Sequence, residues 1–314
     1  MNRRLLTLVA AICILAARSI PLQGAAIPQI TAPVLGYVFD DEAAGIRPIS
    51  GVPGAASLDT PLDLGIALQG AFINSSGRVA VAIAKDGSTA VIRWGGQTPV
   101  VTPIETALGR VTMAALSGSF AALSDGVTVE VWSTLTDLPS RTASYSNLGG
   151  AVMAVAINSD GAAVMANDAG QIQTLQNGTA AVIAAGGLWT SVAFTGKDVL
   201  ATDGQALQLI RISDALNNPG SSVVATFDSS PRALAASRDG TSAVVAFTDD
   251  LALVDGTGTV TSLACGCQAK GLQVIEGNLV VYLNGTGLLL DADTPGARFV
   301  TLPNSAPSVG DIAQ

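Results

Sequence analysis

Short runs of apolar residues alternate with turn-forming residues along most of this chain, and the runs recur in groups of four. One group shows the layout, with runs at Val152 to Ile157, Ala162 to Ala166, Ile172 to Leu175 and Ala180 to Ile183. Its first two gaps hold Asn158-Ser159-Asp160-Gly161 and Asn167-Asp168-Ala169-Gly170. Asp, Asn and Gly between short apolar runs are typical of β-hairpin turns. Each group is therefore predicted to be a four-stranded antiparallel sheet.

This unit recurs six times at intervals of about forty residues, which is the length of one β-propeller blade. The copies begin near Ala71, Met113, Met153, Ser191, Ala233 and Leu272. Sheets that pack around an axis bury both of their faces, which explains why apolar residues fill whole runs. Small residues in the first runs, such as Ala235-Ala236, suit the crowding near the axis. The sequence therefore predicts an all-β fold, a β-propeller.

The two ends of the chain decide the number of blades. Val34 to Phe39 and Ile46 to Ile49 are strand-like and would be strands three and four of a further blade. The tail Ala306-Pro307-Ser308-Val309 is similar to Ser230-Pro231-Arg232-Ala233, which opens the fifth copy. Together they predict a seventh, closing blade that is shared between the N- and C-terminal segments. No run corresponds to its second strand, so a six-bladed ring is the alternative, and a β-helix or a pair of β-sandwiches is also compatible with the pattern.

The first 26 residues have the three parts of a secretory signal peptide. Arg3 and Arg4 precede an apolar run from Leu5 to Ala17, and Gly24 and Ala26 are the small residues that a signal peptidase requires. Cleavage after Ala26 would leave residues 27–314 as a single propeller domain, secreted or periplasmic. The apolar run has 13 residues, fewer than the roughly 20 that a membrane helix needs. The mature chain is therefore expected to have no membrane span.

Charge restricts the kind of partner. The chain has 15 basic and 24 acidic residues, and loss of Arg3, Arg4 and Arg18 with the signal leaves 12 basic ones. Such an acidic surface repels nucleic acid and attracts cations and basic peptides. The sequence thus predicts a protein partner or a cationic or small-molecule ligand, and no nucleic acid.

Two cysteines, Cys265 and Cys267, remain after the signal is removed, since Cys13 lies within it. Cysteines in an oxidising compartment usually pair, so we expect a disulfide between them. A redox role is one alternative, because a ring closed across a single glycine is small and strained, and strained disulfides are the more easily reduced ones. A soft-metal site is another, although two thiolates without histidine make an incomplete ligand set.

The chain contains no histidine, which excludes Ser-His-Asp catalysis and histidine-based metal sites. The turns between second and third strands carry six aspartates, namely Asp86, Asp125, Asp168, Asp203, Asp249 and Asp250. Because these turns face one side of a propeller, the carboxylates could form a ring that receives a cation or a basic peptide. Aspartate is also favoured in turns because its side chain accepts hydrogen bonds from nearby backbone amides. On this second interpretation, the six aspartates only stabilise their turns. No cofactor or metal is expected.

Several motifs resemble those of known propeller families. Val91-Ile92-Arg93-Trp94 and Val129-Glu130-Val131-Trp132 resemble the third strand of WD repeats, and Ser237-Arg238-Asp239-Gly240 resembles a turn of YVTN-type propellers. WD repeats also use a Gly-His pair, which this chain lacks, so the secreted bacterial type is more similar. Leu35-Gly36-Tyr37-Val38-Phe39-Asp40 resembles the opening of exported bacterial proteins of unassigned function.

The combined interpretation is an exported, monomeric, non-catalytic propeller that serves as a platform for a protein or ligand. The alternative is a propeller hydrolase or lyase that acts on extracellular carbohydrate through carboxylates. A structural component of the cell envelope is a second alternative.

Overall fold

A computed structural model describes residues 32–95, 98–294 and 296–304 apart from the side chain of Glu276, and none of these residues is helical. The 27 described strands all fall within one unit of the chain, which begins at Pro33. The predicted signal peptide lies outside the described residues. Across the described ranges, no helix is long and apolar enough to cross a membrane.

The strands form seven antiparallel sheets, which we number as blades 1 to 7 in chain order. Blade 1 contains β1 (Val34–Asp40), β2 (Gly45–Val52) and β3 (Ala55–Leu58). Blade 2 contains β4 (Leu68–Ile73), β5 (Val79–Ala84), β6 (Thr89–Arg93) and β7 (Val100–Ile104). Blade 3 contains β8 (Met113–Ser117), β9 (Phe120–Ser124), β10 (Val129–Ser133) and β11 (Ser140–Tyr145).

The remaining four blades follow the same order. Blade 4 contains β12 (Val152–Ile157), β13 (Ala163–Asn167), β14 (Gln171–Gln176) and β15 (Thr179–Ala185). Blade 5 contains β16 (Trp189–Thr195), β17 (Asp198–Asp203), β18 (Gln208–Ser213) and β19 (Gly220–Thr226). Blade 6 contains β20 (Ala233–Ala236), β21 (Ser242–Ala246), β22 (Leu251–Asp255) and β23 (Val260–Leu263). Blade 7 contains β24 (Leu272–Glu276), β25 (Val280–Leu283), β26 (Leu288–Asp291) and β27 (Arg298–Thr301).

The first strands of blades 2 to 7 contact one another in succession around an axis, and β1 contacts both β24 and β4. The ring is therefore a closed β-propeller of seven blades. This confirms the predicted fold, and the six-bladed alternative is wrong. All six predicted starts of the repeat fall within these first strands, which shows that the forty-residue period follows the blades.

The antiparallel order places alternate turns at opposite ends of each sheet. Turns between second and third strands lie on one face of the ring, together with the connections that lead from each outer strand to the next blade. We call this the upper face. Turns between first and second strands and between third and fourth strands lie on the other side, which we call the lower face.

Burial is most complete in the second strands, which lie between the axial first strands and the exposed rim. Every residue of β5 and of β13 is buried, whereas most residues of the outer strands β15 and β19 are exposed. The core consists of layers between adjacent blades, as where Val81 of blade 2 packs with Leu123 and Trp132 of blade 3. Each large apolar side chain buried in this way contributes about 1.5–3 kcal/mol.

Blade 1 differs from the prediction in the positions of its strands. Leu35, near the start of β1, packs with Ile275 near the end of β24, while Asp41 after β1 pairs with Lys270 before β24. Strand β1 therefore runs opposite to the first strands of its neighbours, as second strands do. The assignment of Val34 to Phe39 and Ile46 to Ile49 to strands three and four is wrong by one position. They are strands two and three, and β3 is the outer strand.

The closing blade brings together the two ends of the described chain. Asn304 forms a parallel bridge with Leu58 of β3, and the Leu58 amide donates a hydrogen bond of 3.0 Å to the Pro303 carbonyl. A C-terminal segment thus reaches the N-terminal blade, as predicted. The tail Ala306 to Val309, expected to supply a strand of this blade, lies outside the described residues.

A buried carboxylate connects blade 3 to the segment that enters it. The Glu130 side chain is fully buried and accepts hydrogen bonds from the Ala107 amide (3.0 Å), the Trp132 indole (3.0 Å) and the Arg141 guanidinium (2.6 Å). Since unpaired buried donors cost free energy, these contacts hold together two strands and the connection between blades 2 and 3.

We predict that Glu130→Ala lowers the free energy of unfolding by roughly 2–4 kcal/mol, because it leaves the buried Trp132 indole without an acceptor and the Arg141 guanidinium without its carboxylate. Glu105→Ala, which removes an exposed carboxylate from the same connection, should change it by less than about 0.5 kcal/mol. Urea unfolding of the two variants measures the difference. Equal stabilities would contradict the structural role of Glu130.

Candidate functional site

The upper face has a large excess of acidic residues. Its turns and connections, with the adjoining strand ends, carry thirteen acidic residues: Asp40, Asp41, Glu42, Asp59, Asp63, Asp86, Glu105, Asp125, Asp168, Asp203, Asp228, Asp249 and Asp250. The same segments carry four basic residues: Lys85, Arg110, Arg232 and Lys270. Counted in the same way over the described side chains, the lower face carries eight acidic residues and five basic ones, so the upper face has the larger excess of negative charge.

Three of the six predicted aspartates connect a turn to the segment that enters the same blade. Asp125 Oδ2 accepts from the Gly109 amide at 3.2 Å, and Asp168 Oδ1 accepts from the Ala151 amide at 2.7 Å. Asp203, which is buried, accepts from the Leu188 amide at 3.2 Å. These amides precede the first strands of blades 3, 4 and 5. The carboxylates therefore have a structural role that the turn pattern alone did not indicate.

The other three aspartates are exposed and make fewer contacts. Asp86 accepts only from the amide and hydroxyl of Ser88, and Asp249 accepts from the Gln268 side chain at 3.1 Å. The Asp250 carboxylate has no hydrogen-bond partner among the described residues. These three side chains are available to a ligand on the upper face.

Hydrogen bonding keeps two carboxylates of this face, Asp86 and Asp125, ionised. The hydroxyl and amide of Ser88 lower the pKa of Asp86. Burial opposes ionisation of Asp125, but the amides of Thr128 and Val127 contribute to a net pKa below the usual value. Both groups therefore stay negative at neutral and mildly acidic pH. A general acid would need the opposite shift, towards a raised pKa.

The six predicted aspartates are spread over the turns of five successive blades, blades 2 to 6. Throughout ranges 32–95, 98–294 and 296–304, no three Asp, Glu or Cys side chains are grouped closely enough to hold a metal ion. Cys265 and Cys267 are joined by a disulfide, with Cα atoms 5.0 Å apart. The Cys265 Sγ lies 3.6 Å from the Asp249 carbonyl, so this pair borders the acidic turn of blade 6.

The first strands line an axial channel that opens towards the lower face. A cavity of about 440 Å³ lies between Leu116, Ala193, Ala235 and Val274. At its lower mouth, the Arg238 guanidinium donates to the Ser75 carbonyl at 2.7 Å, which links blades 6 and 2. In the sequence, Arg238 is recognisable only as part of a turn motif. A contact between residues 163 positions apart has no local sequence signal.

No protein-family model and no curated protein matches this chain. Solved structures do resemble it, among them a functionally unknown protein from Desulfotomaculum acetoxidans DSM 771, with a TM-score of 0.62 and 12% identity over 86% of this chain and 100% of that one. Virginiamycin B lyase from Staphylococcus aureus has a TM-score of 0.56 and 10% identity over 75% and 84%. The WD40 repeats of RRP9 have a TM-score of 0.60 and 11% identity over 78% and 83%. At these identities the similarity is one of fold.

The contacts of Asp125 predict an acid-dependent contribution to stability. Its pKa is lower in the folded state than in the unfolded chain, so its contribution is complete above about pH 4 and is lost as the pH falls through the folded-state pKa. We expect Asp125→Ala to lower the free energy of unfolding by roughly 1–2 kcal/mol at neutral pH.

Denaturant unfolding at several pH values tests this expectation, with Asp250→Ala as the matched control. The control should stay within about 0.5 kcal/mol of the unmodified protein, since its carboxylate has no partner in the described part of the chain. The deficit of Asp125→Ala should shrink on acidification. A deficit that stays constant down to strongly acid pH would contradict this account.

Proposed function

We propose that this chain is an exported, non-catalytic β-propeller whose upper face binds a basic protein segment or another cationic ligand. The observation that supports this most strongly is the uneven charge of the two faces. Thirteen acidic and four basic residues share the upper face, and at least two of its turn carboxylates have lowered pKa values.

Such a face attracts positive charge over a distance of about one Debye length, roughly 8–10 Å at physiological salt. Close contact would then involve the exposed carboxylates Asp86, Asp249 and Asp250. Apolar side chains are exposed on the same face at Ile66, Val127 and Leu188. They add apolar area to an otherwise electrostatic contact, so a basic segment with interspersed apolar residues is the expected partner.

The carboxylate chemistry favours binding over hydrolysis or elimination. Asp125, Asp168 and Asp203 already accept hydrogen bonds from backbone amides. Each carboxyl shift resolved in the described ranges is downward, whereas an acid catalyst requires a raised pKa. Virginiamycin B lyase shares the fold of this chain at 10% identity, and that similarity does not transfer its activity.

Binding of a defined peptide tests the proposal. A probe of alternating lysine and leucine should bind the purified protein at low salt and more weakly as salt is added. Neutralising Asp86, Asp249 and Asp250 together to Asn should weaken binding about tenfold or more, since three favourable charges are lost. Isothermal titration calorimetry measures both effects.

The matched control neutralises three exposed carboxylates of the lower face, Asp137, Asp160 and Asp255, to Asn. It changes the net charge equally, so its affinity should fall much less if the upper face is the site. A probe of alternating glutamate and leucine should not bind. Equal weakening by the two triple variants would show attraction to net charge alone and would refute the proposed site.

Export is tested separately by the N-terminus of the protein recovered outside the cytoplasm. We expect it to begin at Ile27, because Gly24 and Ala26 satisfy the signal peptidase. Ala26→Arg should leave the precursor uncleaved. Recovery of a cytoplasmic protein that starts at Met1 would contradict export without affecting the binding proposal.

A further inference from the structure

We infer that a second binding site, on the lower face, takes an organic anion with a flat apolar group, such as an aryl carboxylate. The site is a cavity of about 770 Å³ formed by blades 1, 2, 6 and 7. Its lining includes Tyr37, Ser75, Ser76, Arg78, Trp94 and Arg238. This volume is within the usual range of small-molecule sites, about 300–1,000 Å³.

Arg238 is fixed across the mouth of the cavity by its backbone and its side chain. The Arg238 amide donates to the Asn278 carbonyl of blade 7 at 3.2 Å, and its guanidinium donates to the Ser75 carbonyl of blade 2 at 2.7 Å. A guanidinium has five N–H donors in a plane, and the described contacts of Arg238 use one of its nitrogens. The remaining donors can bind a carboxylate in the bidentate geometry that arginine favours.

The lining has the opposite charge to the rest of the protein. Arg78 and Arg238 both line the cavity, and neither forms an ion pair within the described residues. No carboxylate lines the cavity, as far as its side chains are described. The neighbouring Asp239 directs its carboxylate into its own turn, towards Thr241 and Ser237. Two guanidinium groups in a chain of net charge −9 therefore form a local site for an anion.

The indole of Trp94 provides an independent indication of a missing acceptor. Trp94 is 6% exposed and lines the cavity, and its Nε1 has no hydrogen-bond partner among the described residues. The other two indoles are satisfied, since Trp132 donates to Glu130 and Trp189 donates to the Gly170 carbonyl, each at 3.0 Å. A buried unpaired donor is costly, so an acceptor supplied by a ligand would complete the site.

The walls favour an organic anion over an inorganic one. The rings of Tyr37 and Trp94 lie with centroids 4.7 Å apart, and Leu35 and Ile275 also line the cavity. An aromatic or other flat apolar group can pack on this surface while its carboxylate contacts the arginines. Phosphate alone would use the cationic part of the site and leave the apolar part without contact.

Calorimetric titration of the purified protein tests the inference, with benzoate, phenyl phosphate, inorganic phosphate and benzylamine as probes. Benzoate or phenyl phosphate should bind saturably, inorganic phosphate more weakly, and benzylamine not at all. Arg238→Gln should raise the dissociation constant about tenfold or more, as expected for loss of a charged hydrogen-bond donor. Arg110→Gln removes a positive charge from the upper face and should change the dissociation constant of the aryl anion less than about twofold.

Arg78→Gln and Trp94→Phe keep the test decisive if Arg238→Gln fails to fold, and thermal melting identifies that case. Each variant should also weaken the binding of benzoate and phenyl phosphate, because each removes one hydrogen-bond donor from the cavity. Absence of saturable binding by both aryl anions at millimolar concentration would overturn the inference. Binding that Arg238→Gln, Arg78→Gln and Trp94→Phe all leave unchanged would overturn it equally. None of these outcomes affects the upper-face proposal.

Discussion

The structure depends on the need of each sheet to bury both of its faces. A strand such as β13, buried along its whole length, requires a neighbouring blade on either side. This requirement can be met for every blade only when the sheets close into a ring. Closure occurs at blade 1, where β1 contacts both β24 and β4 and Asn304 bridges to Leu58. The two faces of the ring are then fixed by the antiparallel order of the strands.

Sequence patterns predict those parts of the fold that are encoded locally. Asn-Ser-Asp-Gly at Asn158 to Gly161 predicts its turn, and the six repeats fall on the first strands of blades 2 to 7. The strand positions of blade 1 are harder to predict from the sequence. Ala55–Leu58 has one large apolar residue, and no turn motif indicates the direction of β1. The roles of the aspartates were only half predictable. Sequence places Asp125 in a turn, but only the fold brings the Gly109 amide to it.

The same geometry gives the two faces different chemistry. Aspartates that stabilise the connections on the upper face also give it a negative field, so structure and binding potential arise from the same side chains. On the lower face, Arg238 reaches blade 2 from blade 6 and brings positive charge to a cavity beside Trp94. A single ring can therefore present a cation-binding surface and an anion-binding cavity without either site neutralising the other.

Lysine cross-linking tests the central claim, binding of a partner at the upper face, most directly. The chain has three lysines, of which Lys85 and Lys270 lie on the upper face and Lys197 lies on the lower face. An amine-reactive cross-linker applied to the protein in its native envelope and medium should join a basic partner to Lys85 or Lys270, and mass spectrometry should identify the site. Neutralising Asp86, Asp249 and Asp250 should abolish these cross-links. A partner joined only at Lys197, or retained by that variant, would contradict the account.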